Sequence, residues 1–225
     1  MKGARHEVLG ITIRVPQPRK FVEAKRILNN WNYVFEQNPG IEKIGSRKEY
    51  MEYVKSIFPN SKSKQVLFHG GRKGIDKFMT PKDPNFKKNK GIGTATKDYG
   101  IYFTADKGMA KQYTRGHQRK DRQIYCVFVN AENPVFTDVW FALQIRKAIN
   151  EDVFWPARIT DKDYKKLSDA GYDSIIWGGE RGEVIVFDPE QIHILGTQDD
   201  LDKFRQWKQN KDKSLIIMNQ NIQGM

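Results

Sequence analysis

Three short stretches hold the side chains most suited to chemistry: VLFHGG at 66–71, GIYFTADKGMAKQY at 100–113 and GERGEVIVFD at 179–188. His69 follows an apolar run and precedes two glycines, which places an imidazole at a strand end where no Cβ bars the close approach of a ligand. Gly70 can offer both its N–H and its C=O to a planar amide. Tyr102, in an alternating run, points with Thr104 to one face of a strand, and Tyr113 ends the helical segment that follows, so two rings could enclose a flat heterocycle. Glu183 opens an apolar strand after a loop containing Gly178, Gly179 and Gly182, where it is either a solvated strand end or a carboxylate presented to a cleft. Each residue taken alone also admits a plainer role in a core or on a surface.

The elements that must position these groups follow from the pattern of apolar residues. Phe21, Ile27, Leu28, Trp31 and Val34 recur at helical spacing within 17–37, and Ser46 with Glu49 forms a capping signature for a second helix whose face carries Tyr50, Tyr53, Val54 and Ile57. QVLFHG, GIYFT, QIYCVFVN, SIIWGG, EVIVFD and QIHIL then read as strands, being short, rich in β-branched and aromatic residues and bounded by turn formers. Helices are expected from Ala105 to Tyr113 with Thr104 as N-cap, within 138–150, and from an N-cap at Thr160 to a C′ glycine at Gly171. The tail begins as a helix and then loses periodicity, so its last ten residues read as loosely held. The expected organisation is a helical extension over 1–60, an α+β domain with a largely β core over 61–198, and a C-terminal helix and tail over 199–225.

Composition excludes several classes. No apolar run is long enough to cross a bilayer and the N-terminus lacks a signal-peptide core, which predicts a cytoplasmic protein with no membrane partner. The single Cys126 forms no internal disulfide and sits in an apolar run as a core residue, and no ligand spacing for a metal occurs. The net charge of +12 favours phosphate-rich partners. Residues 1–64 carry 13 Lys/Arg against 6 Asp/Glu and 65–130 carry 14 against 5, whereas 131–198 carry 7 against 12, so the basic excess lies in the first 130 residues.

Read in order, FHG, GIYFTADKGMAKQY and EVIVFDPEQI resemble the three signature segments of the ADP-ribosyltransferase superfamily, in its His-Tyr-Glu branch. Within it the chain is most similar to domains of phage and mobile-element polyvalent proteins, in which IFPNSK, GYDSII and FDPEQIHILG recur, and the resemblance spans about 46–197. It implies a split, mixed β-sheet flanked by helices, and NAD as co-substrate with no metal. His69 would bond the adenine-side ribose, the Gly70 backbone the nicotinamide carboxamide, Tyr102 and Tyr113 would flank the nicotinamide ring, and Glu183 would bind the 2′-OH of the nicotinamide ribose. Where polymerases of the superfamily have a serine before the second tyrosine, this chain has Ala110.

The expectation is a mono-ADP-ribosyltransferase acting as a monomer in the cytoplasm, that of the host if the protein is phage-encoded, on a nucleic-acid acceptor, especially RNA, or on a protein. Arginine-modifying relatives place an acidic residue two positions before the catalytic glutamate; Arg181 stands there, which disfavours an arginine acceptor. Arg72, Lys73, Lys77, Lys82, Lys87, Lys88, Lys90 and Lys97 line the stretch between His69 and Tyr102, either as a solvated loop with pyrophosphate contacts or as a nucleic-acid track with Arg181, Phe86 and Tyr99. Two other functions fit the same residues: NAD hydrolysis, and a non-catalytic module that binds NAD or nucleic acid. A pure binder, however, needs no carboxylate at the glycosidic carbon.

Overall fold

The computed structural model describes residues 5–8, 11–14, 19–80, 100–137, 161–177 and 182–223. The expected helix within 138–150, the Thr160 cap, Gly178, Gly179 and Arg181, and Lys82, Phe86, Lys87, Lys88, Lys90, Lys97 and Tyr99 of the basic stretch lie outside these residues.

A hairpin of β1 (Arg5–Val8) and β2 (Ile11–Arg14) precedes two helices, α1 (Arg19–Gln37) and α2 (Arg47–Ile57). The Ser46 hydroxyl accepts from the Glu49 amide while the Glu49 carboxylate accepts from the Ser46 amide, the reciprocal cap that starts α2. Next come β3 (Leu67–Arg72), β4 (Ile101–Thr104), α3 (Lys107–Tyr113), β5 (Arg122–Val129) and β6 (Pro134–Thr137). The chain ends with α4 (Asp161–Asp169), β7 (Ser174–Trp177), β8 (Glu183–Val186), β9 (Ile192–Ile194) and α5 (Gln198–Gln223).

Strands β3 to β9 form one seven-stranded sheet in the order β6-β7-β8-β4-β3-β5-β9, antiparallel except for the parallel β6/β7 pair. With its flanking helices this is an α+β fold. All six strands expected from the sequence are present, and β6 and the N-terminal hairpin are additional to them.

Helix α3 starts later than its sequence suggests. Thr104 is the last residue of β4, paired to both Phe68 and Glu183, so it cannot adopt the cap position. The cap is Asp106, whose Oδ1 accepts from the amides of Gly108 (2.7 Å) and Met109 (3.2 Å). Helix α5 continues to Gln223 because no Gly or Pro interrupts 198–222, although Leu215, Ile216, Ile217 and Met218 on it are at least half exposed.

Two helices from before the sheet and one from after it build a shared core. Trp31 of α1, Tyr50 and Val54 of α2 and Phe204 of α5 pack with Phe68, Ala110, Cys126 and Phe128. Each such fully buried large side chain contributes roughly 1.5–3 kcal/mol. The opposite face is filled by Leu67, Ile101, Phe103, Tyr125, Val127, Val184 and Val186 with Ile75 and Phe78 of the segment after β3. On β6 to β8, Val135, Ile175 and Ile185 pack against Tyr164 and Leu167 of α4.

Candidate active site

Strand β3 has two unlike seams. Its seam with β5 runs for six residue pairs, Leu67↔Val127 to Arg72↔Arg122, whereas its seam with β4 is a single pair, Phe68↔Thr104. The strands therefore part immediately after Phe68, and His69 is the first residue beyond the fork. Its Nδ1 lies 2.9 Å from the Tyr102 carbonyl oxygen. A carbonyl only accepts, so Nδ1 carries the proton, and in the neutral ring Nε2 is an acceptor. Burial lowers the His69 pKa, which keeps the ring neutral. Phe78 and Phe103 hold it edge-on at centroid distances of 5.0 and 5.7 Å.

The closed end of the fork is tied from outside the sheet. Asn30, on α1 and nearly inaccessible, donates from Nδ2 to the carbonyls of Val66 and Ala105, both at 3.1 Å. One side chain thus joins the residue before β3 to the residue after β4. The Ala105 amide in turn donates to the Gly182 carbonyl at 3.0 Å, which fixes the chain just before Glu183. Gly182 has φ +54°, and a Cβ there would stand 3.0 Å from the Ala105 Cβ and 3.4 Å from the Arg26 guanidinium nitrogens. Arg26 of α1 therefore sits against the turn that opens β8.

Register places the remaining groups. Tyr102 pairs with Ile185 and Thr104 with Glu183, so Tyr102 and half-buried Glu183 share one face of the β4/β8 pair, with Phe103 and His69 on the other. The Tyr102 hydroxyl lies 2.6 Å from that of Tyr164 on α4, which aims the tyrosine toward that helix. Tyr113 ends α3 and is 61% exposed. The structure thus brings His69, Tyr102 and Glu183 onto three neighbouring strands at one fork, with Tyr113 on the helix behind β3.

Gly70 is required for a reason the sequence did not reveal. A Cβ on it would lie 1.8 Å from the Ala110 carbonyl oxygen, so its missing side chain admits the backbone of α3 rather than a ligand. Ala110 is fully buried beside Phe68 and Cys126, which makes the polymerase serine position a packing position here. Arg72 is exposed at the end of β3. Burial pushes the Cys126 thiol up to about 12, so it is no thiolate nucleophile. Among the described residues no cluster of His, Cys, Asp and Glu could hold a metal, and no helix is long and apolar enough to cross a membrane.

This geometry coincides with a recognised sequence family. Residues 63–195 match a family described as ADP-ribosyltransferase in polyvalent proteins, which covers more than half of the chain. The chain belongs to that family. It is accordingly an ADP-ribosyltransferase, a transferase fold that works on NAD and an acceptor. No curated protein matches it. The matched span of this ADP-ribosyltransferase holds β3 to β9, while Asn30 and Arg26 of α1 lie before it. Sequence reasoning missed Asn30, Arg26 and Tyr164. Asn30 did leave a signal, since it is a polar residue on the same stripe as Ile27 and Val34, three and four positions away.

Proposed function

We propose that the chain transfers a single ADP-ribose from NAD to a macromolecular acceptor and releases nicotinamide. The observation that carries this reading is the fork between β3 and β4, where the described pairing stops after Phe68, His69 bonds the Tyr102 carbonyl and Glu183 stands on the strand paired with β4. The neutral His69 Nε2 accepts from a hydroxyl of the adenine-side ribose. The Gly70 backbone holds the carboxamide of nicotinamide, and the rings of Tyr102 and Tyr113 border the pyridinium, which turns a diffusing substrate into an oriented one.

The C1′–N bond then breaks with its electron pair leaving on nicotinamide, and positive charge develops on the ribose as in glycoside cleavage. Glu183 accepts from the 2′-OH, a bond that strengthens as that charge grows. An oxygen or nitrogen of the acceptor forms the new bond to C1′ and gives up its proton to solvent. Arg72, exposed at the end of β3, meets the pyrophosphate, and the cations at 82–97 and Arg181 are assigned to the same phosphates and to the acceptor.

The test is incubation with NAD labelled in its adenylate half plus a whole-cell lysate, followed by protease, RNase or DNase. Label retained on a macromolecule supports transfer, and the digestion that frees it names the acceptor class. Free ADP-ribose as the sole product would make the protein an NAD glycohydrolase, and intact NAD would refute the reading.

A further inference from the structure

A groove of about 930 Å³ runs along α3, the turn after it and the start of β5, and none of His69, Gly70, Tyr102, Tyr113 or Glu183 lines it. Five cations do: Lys107, Lys111, Arg115, Arg119 and Arg122, against one carboxylate, Asp76. Residues 107–122 hold six Lys/Arg and one Asp/Glu, a local excess unlike that of α5. There Lys203, Arg205, Lys208 and Lys211 each pair with a carboxylate: Asp199, Asp202, Glu49 and Glu52. Among the described residues none of the five groove cations forms an ion pair.

Cations crowded without counter-charge repel one another, and a bound polyanion relieves that repulsion while releasing its own counterions. Two of the groove cations are also held in place. The Arg122 guanidinium donates to the carbonyls of His117 (3.0 Å) and Arg115 (3.3 Å), fixing the turn, and the Lys107 ammonium lies 4.1 Å from the centre of the Tyr33 ring. Lys107, Lys111 and Arg115 recur every four residues along α3 and its 3₁₀ extension, about 6 Å per step on a helix. Such a row follows an extended phosphate backbone, and a concave channel suits one strand better than a duplex.

We propose that this groove binds single-stranded nucleic acid through its phosphates. Thr114 joins the groove to the site, since it lines the groove and its Cγ2 is 3.2 Å from where a Gly70 Cβ would be. The bound strand is then the acceptor, a step that rests on the transferase reading above, whereas the binding does not.

The test measures anisotropy of a fluorescent oligouridylate at several salt concentrations without NAD. Three proteins are compared: the unaltered chain, a groove variant with Lys111→Glu, Arg115→Glu and Arg119→Glu, and a control with Lys203→Glu, Arg205→Glu and Lys213→Glu on α5, which carries the same change in charge. The groove variant is expected to bind at least about tenfold more weakly, with a salt slope shallower by about 2, and the control to bind as the unaltered chain does. Thermal unfolding checks the fold, and Arg115→Gln with Arg119→Gln gives a smaller shift in the same direction if the triple variant does not fold. Equal weakening in the control, no binding at low salt, or equal competition by poly-glutamate would overturn the proposal. Oligouridylate binding with intact NAD would sink the transferase reading and leave the groove standing; NAD cleavage without binding would do the reverse.

Discussion

His69 and His193 are both partly buried imidazoles on strands of one sheet, and their surroundings differ in kind. His193 on β9 meets the Asp200 carboxylate at 2.6 Å, and that carboxylate, wholly buried, also accepts from the Tyr50 hydroxyl (2.5 Å) and the Gly196 amide (2.7 Å). Tyr53 packs edge-on against the His193 ring. This cluster is filled by the protein's own donors and locks β9, α5 and α2 together. His69 instead bonds a backbone carbonyl where two strands separate, with Tyr102 and Glu183 on the strands alongside. A polar cluster closed on all sides secures the fold, whereas the one at the break in the pairing is where we propose that the substrate binds.

The comparison is broken most severely at Asp200. Asp200→Ala strands the Tyr50 hydroxyl, a histidine and an amide in the interior and is expected to cost about 3–5 kcal/mol in denaturant unfolding. NAD affinity of the folded fraction should be unchanged, and a parallel loss of affinity would show that the two clusters are not separate. Gly70→Ala lies between the two cases, because a methyl meets the Ala110 carbonyl, which cannot rotate away. It is expected to lower stability by about 1–3 kcal/mol and, by displacing α3 and Tyr113, to raise KM for NAD. A full-activity, full-stability Gly70→Ala protein would contradict the packing described here.

Asn30→Ala should cost about 1–2 kcal/mol by leaving the Val66 and Ala105 carbonyls without their donor, and should reduce kcat more than it raises KM, since the Ala105–Gly182 link positions Glu183. A loss of stability with unaltered turnover would make Asn30 purely a fold residue. The smallest effect is on pH. The folded pKa of His69 is lowered from 6.5, so its contribution to stability is present above that value and is lost as the pH falls below it. Its share of the slope is at most about 1.4 kcal/mol per pH unit. Unfolding measured at neutral and mildly acidic pH should show a shallower loss for His69→Asn than for the unaltered chain, and identical slopes would remove this role.

The strands were legible because β-branched and aromatic runs carry their own signal, and the order His69, Tyr102, Glu183 was legible as a family pattern. What the chain did not disclose depends on contacts between distant segments. The pairing of Thr104 with Phe68 and Glu183 moves the helix cap to Asp106, and the approach of Ala110 to Gly70 changes why that glycine is there. Asn30 reads as one polar residue in an amphipathic helix until Val66 and Ala105 are brought beside it.

The central claim is that the fork is a site of NAD cleavage with Glu183 at its reacting carbon. It is tested most directly by nicotinamide release from NAD, compared between the unaltered chain and Glu183→Gln, with NAD binding followed by calorimetry. The account predicts release by the unaltered chain and a fall of about 10²–10³-fold in the variant, with NAD affinity and thermal stability nearly unchanged. Intact NAD with the unaltered chain, or equal release by Glu183→Gln, would contradict it.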